Sequence, residues 1–178
     1  MSRIYVACLA SYNNGILHGE WLDATQDPDD IYEGITQVLK SSPIKGAEEF
    51  AIHDYDDFGS IRLGEYESIE NVHAIAAALD EWPSSVVAHY HAEGVDAEDL
   101  DDHIRDRFIG TAEEELDEVS ALASYILTEE DWFWDELPER FRTHSSAIAR
   151  SEARDRLLSG STFAIYAGAG TWHFMSND

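Results

Sequence analysis

The sequence predicts a mixed α+β fold, and three observations predict it. Two β-rich runs flank Asn13, Asn14 and Gly15 near the start, helical periodicity fills the middle, and another β-rich pair closes the chain around Gly168–Gly170. With 178 residues and 44% hydrophobic content, the chain holds enough apolar material for one ordinary domain or two to three small ones.

The elements follow in order. RIYVACLASY and ILHGEWLDA, either side of the Asn-Gly pair, predict a hairpin of two antiparallel strands, because Asn-Gly supplies the positive φ angles of a tight turn. Asp27 and Pro28 supply a cap and a first helical position, and Ile31, Ile35, Val38 and Leu39 continue at helical spacing until Ser41, Ser42 and Pro43 stop the helix. EEFAIHDY then predicts a third strand, completing a small α+β unit to about residue 62. From Ser68, the residues Val72, Ile75, Ala76, Leu79 and Trp82 form one apolar face of a helix ending at Pro83, and a shorter helix follows through Val86, Val87 and Tyr90. RDRFIGT predicts a short strand. Leu116, Val119, Leu122, Ala123 and Ile126 form an apolar stripe, with Glu113, Glu114, Asp117 and Glu118 expected on the opposite face of the same helix. Two short helices are expected over residues 136–143 and 147–158, and FAIYAGAGTWHF reads as the closing hairpin.

Charge is the unusual property. There are 37 acids and 11 Lys or Arg, for a net charge of −26. Residues 63–139 hold 23 of the acids and only two of the bases, Arg105 and Arg107, whereas residues 140–178 hold 3 acids and 5 bases. The stretch EEELDEVSALASYILTEEDWFWDELPE, residues 113–139, has no Lys, Arg or His. Crowded like charges oppose a compact state. Acidic disordered segments, however, have few aromatic residues, and residues 63–139 include Tyr66, Trp82, Tyr90, Phe108, Tyr125, Trp132, Phe133 and Trp134, so a folded acidic region is expected. Trp132, Phe133 and Trp134 are assigned to packing between helices.

Several function classes fit poorly. No run of 18 apolar residues suggests a membrane span, and the N-terminus lacks the pattern of a secretory signal, so a cytoplasmic protein is expected. The single Cys8 sits in an apolar run and reads as a buried, inert thiol. His89 and His91, near Asp96, Glu98, Asp99, Asp101, Asp102 and His103, could form a mixed metal site, but the spacing fits neither a zinc pattern nor a calcium loop. His53, Asp54, Tyr55, Asp56 and Asp57 could supply a general acid and base, although a strand end running into a polar turn explains them more simply. There is no phosphate-binding glycine loop, nucleophile elbow or dinucleotide fingerprint, so no enzyme, cofactor or metal is expected. Direct nucleic-acid binding is disfavoured, since phosphate contacts need Lys and Arg.

Three readings of the charge stay open on these grounds: a halophilic surface, an acidic binding module or chaperone for a basic nucleic-acid-binding protein, and an array of carboxylates standing in for DNA phosphates. Two lysines support the first, whereas nine arginines and the basic final segment oppose it. Duplex DNA carries one charge per about 1.7 Å of axis and positions proteins mainly through its phosphates, so a rigid, folded carboxylate array suits the third reading.

RIYVACLASYNNGILHGEWLDA, EEFAIHDYDDF and LGEYESIENVHAIAAAL resemble the ArdA antirestriction family in order and spacing, and ASYILTEEDW, ELPERF and EARDRLLSGSTF are similar to its C-terminal part. The resemblance runs from about Arg3 to Phe174. It implies a DNA mimic that inhibits type I restriction-modification enzymes by occupying the DNA-binding site of their methyltransferase core. It further implies an elongated chain of three small domains: an N-terminal antiparallel sheet with a helix (1–62), a central acidic helical domain (63–104), and a C-terminal α+β domain (105–178) through which a homodimer forms. Where the family carries a Tyr- and Asp-containing segment before an Arg-Asp pair, matched here by Arg154 and Asp155, this chain has THSSAIARSEA, and a thinner negative surface is expected there. DAEDLDDHIRD shares the family's acidic character but not its pattern. On this reading Glu113, Glu114, Asp117, Glu118, Glu129, Glu130, Asp131, Asp135, Glu136 and Glu139 find their cationic partners on another protein.

Overall fold

The computed structural model describes residues 1–177. Its contacts divide the chain into two compact units, Met1–Ile104 and a second beginning at Arg105.

The first unit is built on a three-stranded antiparallel sheet in the order β2-β1-β3, with β1 at Arg3–Cys8, β2 at Gly19–Asp23 and β3 at Phe50–Asp56. Strands β1 and β2 are antiparallel, as the flanking β-rich runs predict, but no tight Asn-Gly turn joins them. The register begins at Ala7↔Gly19, so the intervening chain is long enough to form a helical turn, α1 at Leu9–Tyr12. Gly15, at φ 73°, sits just past that turn, its N–H donating to Tyr12 O at 2.9 Å. Its positive φ therefore serves a helix end rather than a hairpin. Helix α2, Pro28–Lys40, starts as its sequence dictates: the Asp27 side chain accepts from Asp29 N, and Ile31, Ile35 and Val38 are buried against the sheet. Helix α3, Ile69–Glu81, is capped by Ser68, whose side chain accepts from Asn71 N, and α4 spans Ser84–Ala92. A 3-10 turn at Ala97–Asp99 packs on α3, and Trp82 Nε1 donates to Asp101 Oδ1 at 2.7 Å.

Helix α5, Leu100–Arg107, takes up the residues Arg105–Arg107 that the sequence assigns to a strand. Strand β4 occupies only Phe108–Ala112. The reason lies in Leu100 and Ile104, both fully buried one helical turn apart, which carry the helix past the charged residues that follow.

The second unit has a sheet in the order β4-β6-β5, with β5 at Thr162–Gly168 and β6 at Thr171–Ser176 forming the hairpin expected from Gly168–Gly170. Helix α6, Glu118–Glu129, packs on α8, Ser145–Ser159, and both contribute to a core that includes Leu122, Ile126, Phe133, Ala149, Ala153 and Phe174. Between them lie α7, Asp131–Glu136, and a 3-10 segment, Glu139–His144, which replaces most of the helix expected over residues 136–143. Pro138 explains the replacement: it breaks the helical run after Leu137, and the chain restarts in a tighter turn with Phe141 N donating to Pro138 O at 2.8 Å. Leu116, expected in the apolar stripe, is 97% exposed, because α6 begins two residues later.

Candidate functional site

The ten carboxylates singled out in the sequence all belong to the second unit, which places them at the two ends of α6 rather than along one face of it. Glu113 and Glu114 follow β4, and both are exposed. Their segment is pinned by backbone contacts: Glu115 N donates to Gly170 O at 3.1 Å, and Trp172 Nε1 donates to Glu115 O at 3.3 Å. Glu114 adopts a φ of 62°, and the Gly170 position lies so close that a Cβ there would meet the Glu114 backbone at 3.2 Å. Ser124 Oγ donates to Glu115 Oε1. Asp117 caps α6, accepting from Ser120 N and Ser120 Oγ, each at 2.8 Å. The hydrogen bond from Ser120 N is the chief reason its carboxyl is held below the usual carboxylate range. This cap starts the helix at Glu118, so Glu113, Glu114 and Asp117 precede α6 and do not lie on its outer face.

At the other end, Glu129 closes α6, Asp131, Asp135 and Glu136 lie on α7, and Glu139 opens the 3-10 segment, all exposed. The span from Glu118 to Glu129 separates the two groups by about 17 Å along the helix, the length of about five base pairs.

Glu130 differs from the rest. It accepts a bidentate pair from Arg156, with Nη1 at 2.8 Å and Nη2 at 2.9 Å, and the two side chains keep only 12% and 21% of their surface exposed. Arg156 also donates to Glu152 at 3.0 Å and lies 5.4 Å from the centroid of the Trp132 ring. Desolvation of the partly buried guanidinium opposes its charge, but the hydrogen bonds it donates to Glu130 and Glu152 outweigh that cost and raise its pKa. The partner of Glu130 is therefore on its own chain. The pairing crosses 26 positions, and no local signal in the sequence marks Arg156 for it.

The aromatic triplet divides by position on α7. Phe133 is buried, as assigned, whereas Trp132 and Trp134 keep 38% and 36% of their surface exposed. Trp134 Nε1 donates to Leu127 O at 3.0 Å. Between α7 and α8 lies a small apolar pocket of about 150 Å³, lined by Trp132, Phe133, Leu137 and Ile148 with Glu136 and Glu152. Nothing in the sequence distinguishes Ile148 and Glu152 as pocket residues.

The other sequence candidates do not converge. His53 Nε2 is 3.5 Å from Glu65 Oε1, with the Tyr12 ring edge-on at 4.6 Å, while Asp56 is held by Arg3 at 2.7 Å and Asp57 by the N-terminal amine at 3.1 Å. His89 and His103 both stack edge-on against Tyr90. Among the described residues no group of three or more His, Cys, Asp or Glu is placed to hold a metal ion. Cys8 is fully buried, and Thr111 Oγ1 lies 2.8 Å from Nδ1 of the buried His173. Among the described residues no helix is long and apolar enough to cross a membrane.

Among curated proteins, none matches the chain. The profile of the family described as antirestriction protein (ArdA) matches residues 4–169, spanning both units and all ten carboxylates. The chain belongs to the ArdA family of antirestriction proteins.

Proposed function

We propose that this antirestriction protein acts as a DNA mimic, its carboxylates occupying the DNA-binding site in the methyltransferase core of type I restriction-modification enzymes. One observation carries the reading. Glu113, Glu114, Asp117, Glu118, Glu129, Asp131, Asp135, Glu136 and Glu139 are exposed, and a folded segment running from the end of β4 through α6 and α7 to the 3-10 turn, not a tail, carries them through a stretch without Lys, Arg or His. A fixed array suffers less loss of conformational freedom on binding than a disordered acidic segment. On this reading the protein works in the cytoplasm by occupancy, with no reaction, metal or cofactor of its own.

The test is competition with DNA on a purified type I methyltransferase. The side chains of Glu114, Glu118, Asp131 and Asp135 have no hydrogen-bond or ion-pair partner among the described residues, so replacing all four by Gln or Asn should weaken DNA displacement about tenfold, at about 0.2 to 1 kcal/mol per exposed pair. Unchanged displacement would remove these residues as phosphate stand-ins. Binding to basic nucleic-acid-binding proteins in general, with no preference for the methyltransferase, would favour an acidic chaperone instead.

The three-part division at residues 62 and 104 and the homodimer belong to the same proposal. Residues 140–178 carry 3 acids against 5 bases, so two copies can meet there without the repulsion that residues 63–139 would impose. Sedimentation at micromolar concentration in moderate salt should report a dimer, and a monomer under those conditions would refute the association.

A further inference from the structure

We infer that the pocket between α7 and α8 receives a single arginine side chain from the bound protein. The inference rests on the DNA-mimic reading and adds to it one anchoring subsite. The argument is one of charge and shape together. The pocket is apolar in its depth, where Phe133 and Leu137 are buried, and it opens beside Trp132, which is 38% exposed. An aliphatic occupant would satisfy the depth but not the opening, where Glu136 and Glu152 stand. Arg156 already lies beside the pocket, yet Glu130 and Glu152 both accept from it, so these two carboxylates and Glu136 outnumber the one guanidinium. Glu136 is exposed and has no partner among the described residues.

A side chain that fits this place needs an apolar stem for Leu137 and Ile148 and a planar cation for Glu136 and the Trp132 indole. Arginine has both. Its guanidinium is less strongly hydrated than an ammonium, stacks on aromatic rings and pairs with a carboxylate through two parallel hydrogen bonds. Lysine offers only the stem and a point charge. The surrounding carboxylates draw a basic surface toward the unit over a distance of roughly 10 Å at moderate salt, whereas the pocket holds one side chain in register once contact is made. Arginine anchors in desolvated pockets dominate many protein interfaces, so this subsite should contribute more than any one of the open carboxylates.

The probe is n-butylguanidinium, with neutral n-butylurea as its isostere, titrated into the full chain while the indole N–H resonance of Trp132 is followed by NMR. The resonance is assigned from a Trp132→Phe chain. Butylguanidinium should shift it saturably and butylurea should not, and Glu136→Gln should weaken binding about fivefold, the upper range for one ion pair. Asp155→Asn removes a charge from α8 outside the pocket and should change binding by less than twofold. Equal response to both probes, or to Glu136→Gln and Asp155→Asn, would overturn the inference. DNA displacement from the methyltransferase, measured on the same chains, separates this inference from the function it rests on. A chain that displaces DNA but shows no saturable indole shift loses the pocket and keeps the function. A chain that shows the shift but displaces no DNA keeps an arginine pocket, and its assignment to the restriction enzyme is overturned.

Discussion

Glu130 and Glu136 lie six positions apart in one acidic run, and the fold gives them opposite roles. Glu130 turns inward to a two-pronged pair with Arg156, whereas Glu136 is left in solvent at the mouth of a pocket. The difference predicts different costs. Glu130→Gln leaves the Arg156 guanidinium partly buried with only Glu152 to neutralise it, and should destabilise the chain by about 2 kcal/mol, the range for a hydrogen bond to a charged group that is lost away from water. Glu136→Gln removes a repelling charge and should leave stability within about 0.5 kcal/mol of the parent. Urea unfolding of the two variants side by side checks both, and equal midpoints would dissolve the distinction. None of this could be read from the run itself, because the twenty-six positions between Glu130 and Arg156 are closed only by the packing of α6 on α8.

Elements were legible where the deciding interaction is local. Asp27 with Pro28, and Ser68, set helix starts through bonds to residues two or three positions on, and the Gly168–Gly170 turn fixes its own hairpin. Elements decided by distant partners were not. The Leu9–Tyr12 turn exists because β1 and β2 pair in a register that leaves chain to spare, and α5 continues through Arg107 because Leu100 and Ile104 are buried by other segments. The same contrast applies to the carboxylates: their number was legible, but Asp117's role as a cap moved the N-terminal group off the helix face. Strand β4 offers a test of such distant control. Gly110 faces Tyr125 on α6 so closely that a Cβ would fall 2.1 Å from the ring, while the Tyr125 hydroxyl donates to Ile109 O at 2.6 Å. Gly110→Ala must push the ring or the strand aside and should cost about 1 to 3 kcal/mol through overpacking. A calorimetric scan showing no loss of melting temperature would mean that α6 and β4 separate more easily than this contact implies.

At the scale of the whole molecule, a net charge of −26 acts on folding and on binding with opposite signs, and salt exposes the opposition. Carboxylates crowded on one chain repel each other, so screening should raise the melting temperature as ionic strength increases. The same screening weakens their attraction to the cationic channel of a DNA-binding enzyme, so DNA displacement should fall over the same range. The Debye length drops from about 30 Å at 0.01 M to about 10 Å at 0.1 M, and most of both changes should therefore occur within that decade. The partly buried Glu130–Arg156 pair is screened less and should not reverse the trend in stability. A halophilic surface would share the rise in melting temperature but would not compete with DNA at any salt concentration, and a metal-dependent activity would respond to chelation rather than to ionic strength. Calorimetry and DNA competition run across one salt series decide among the three. Melting temperature and displacement rising together would contradict an inhibitor held by charge, and would point to binding through apolar surface such as Trp132, Trp134 and Phe141.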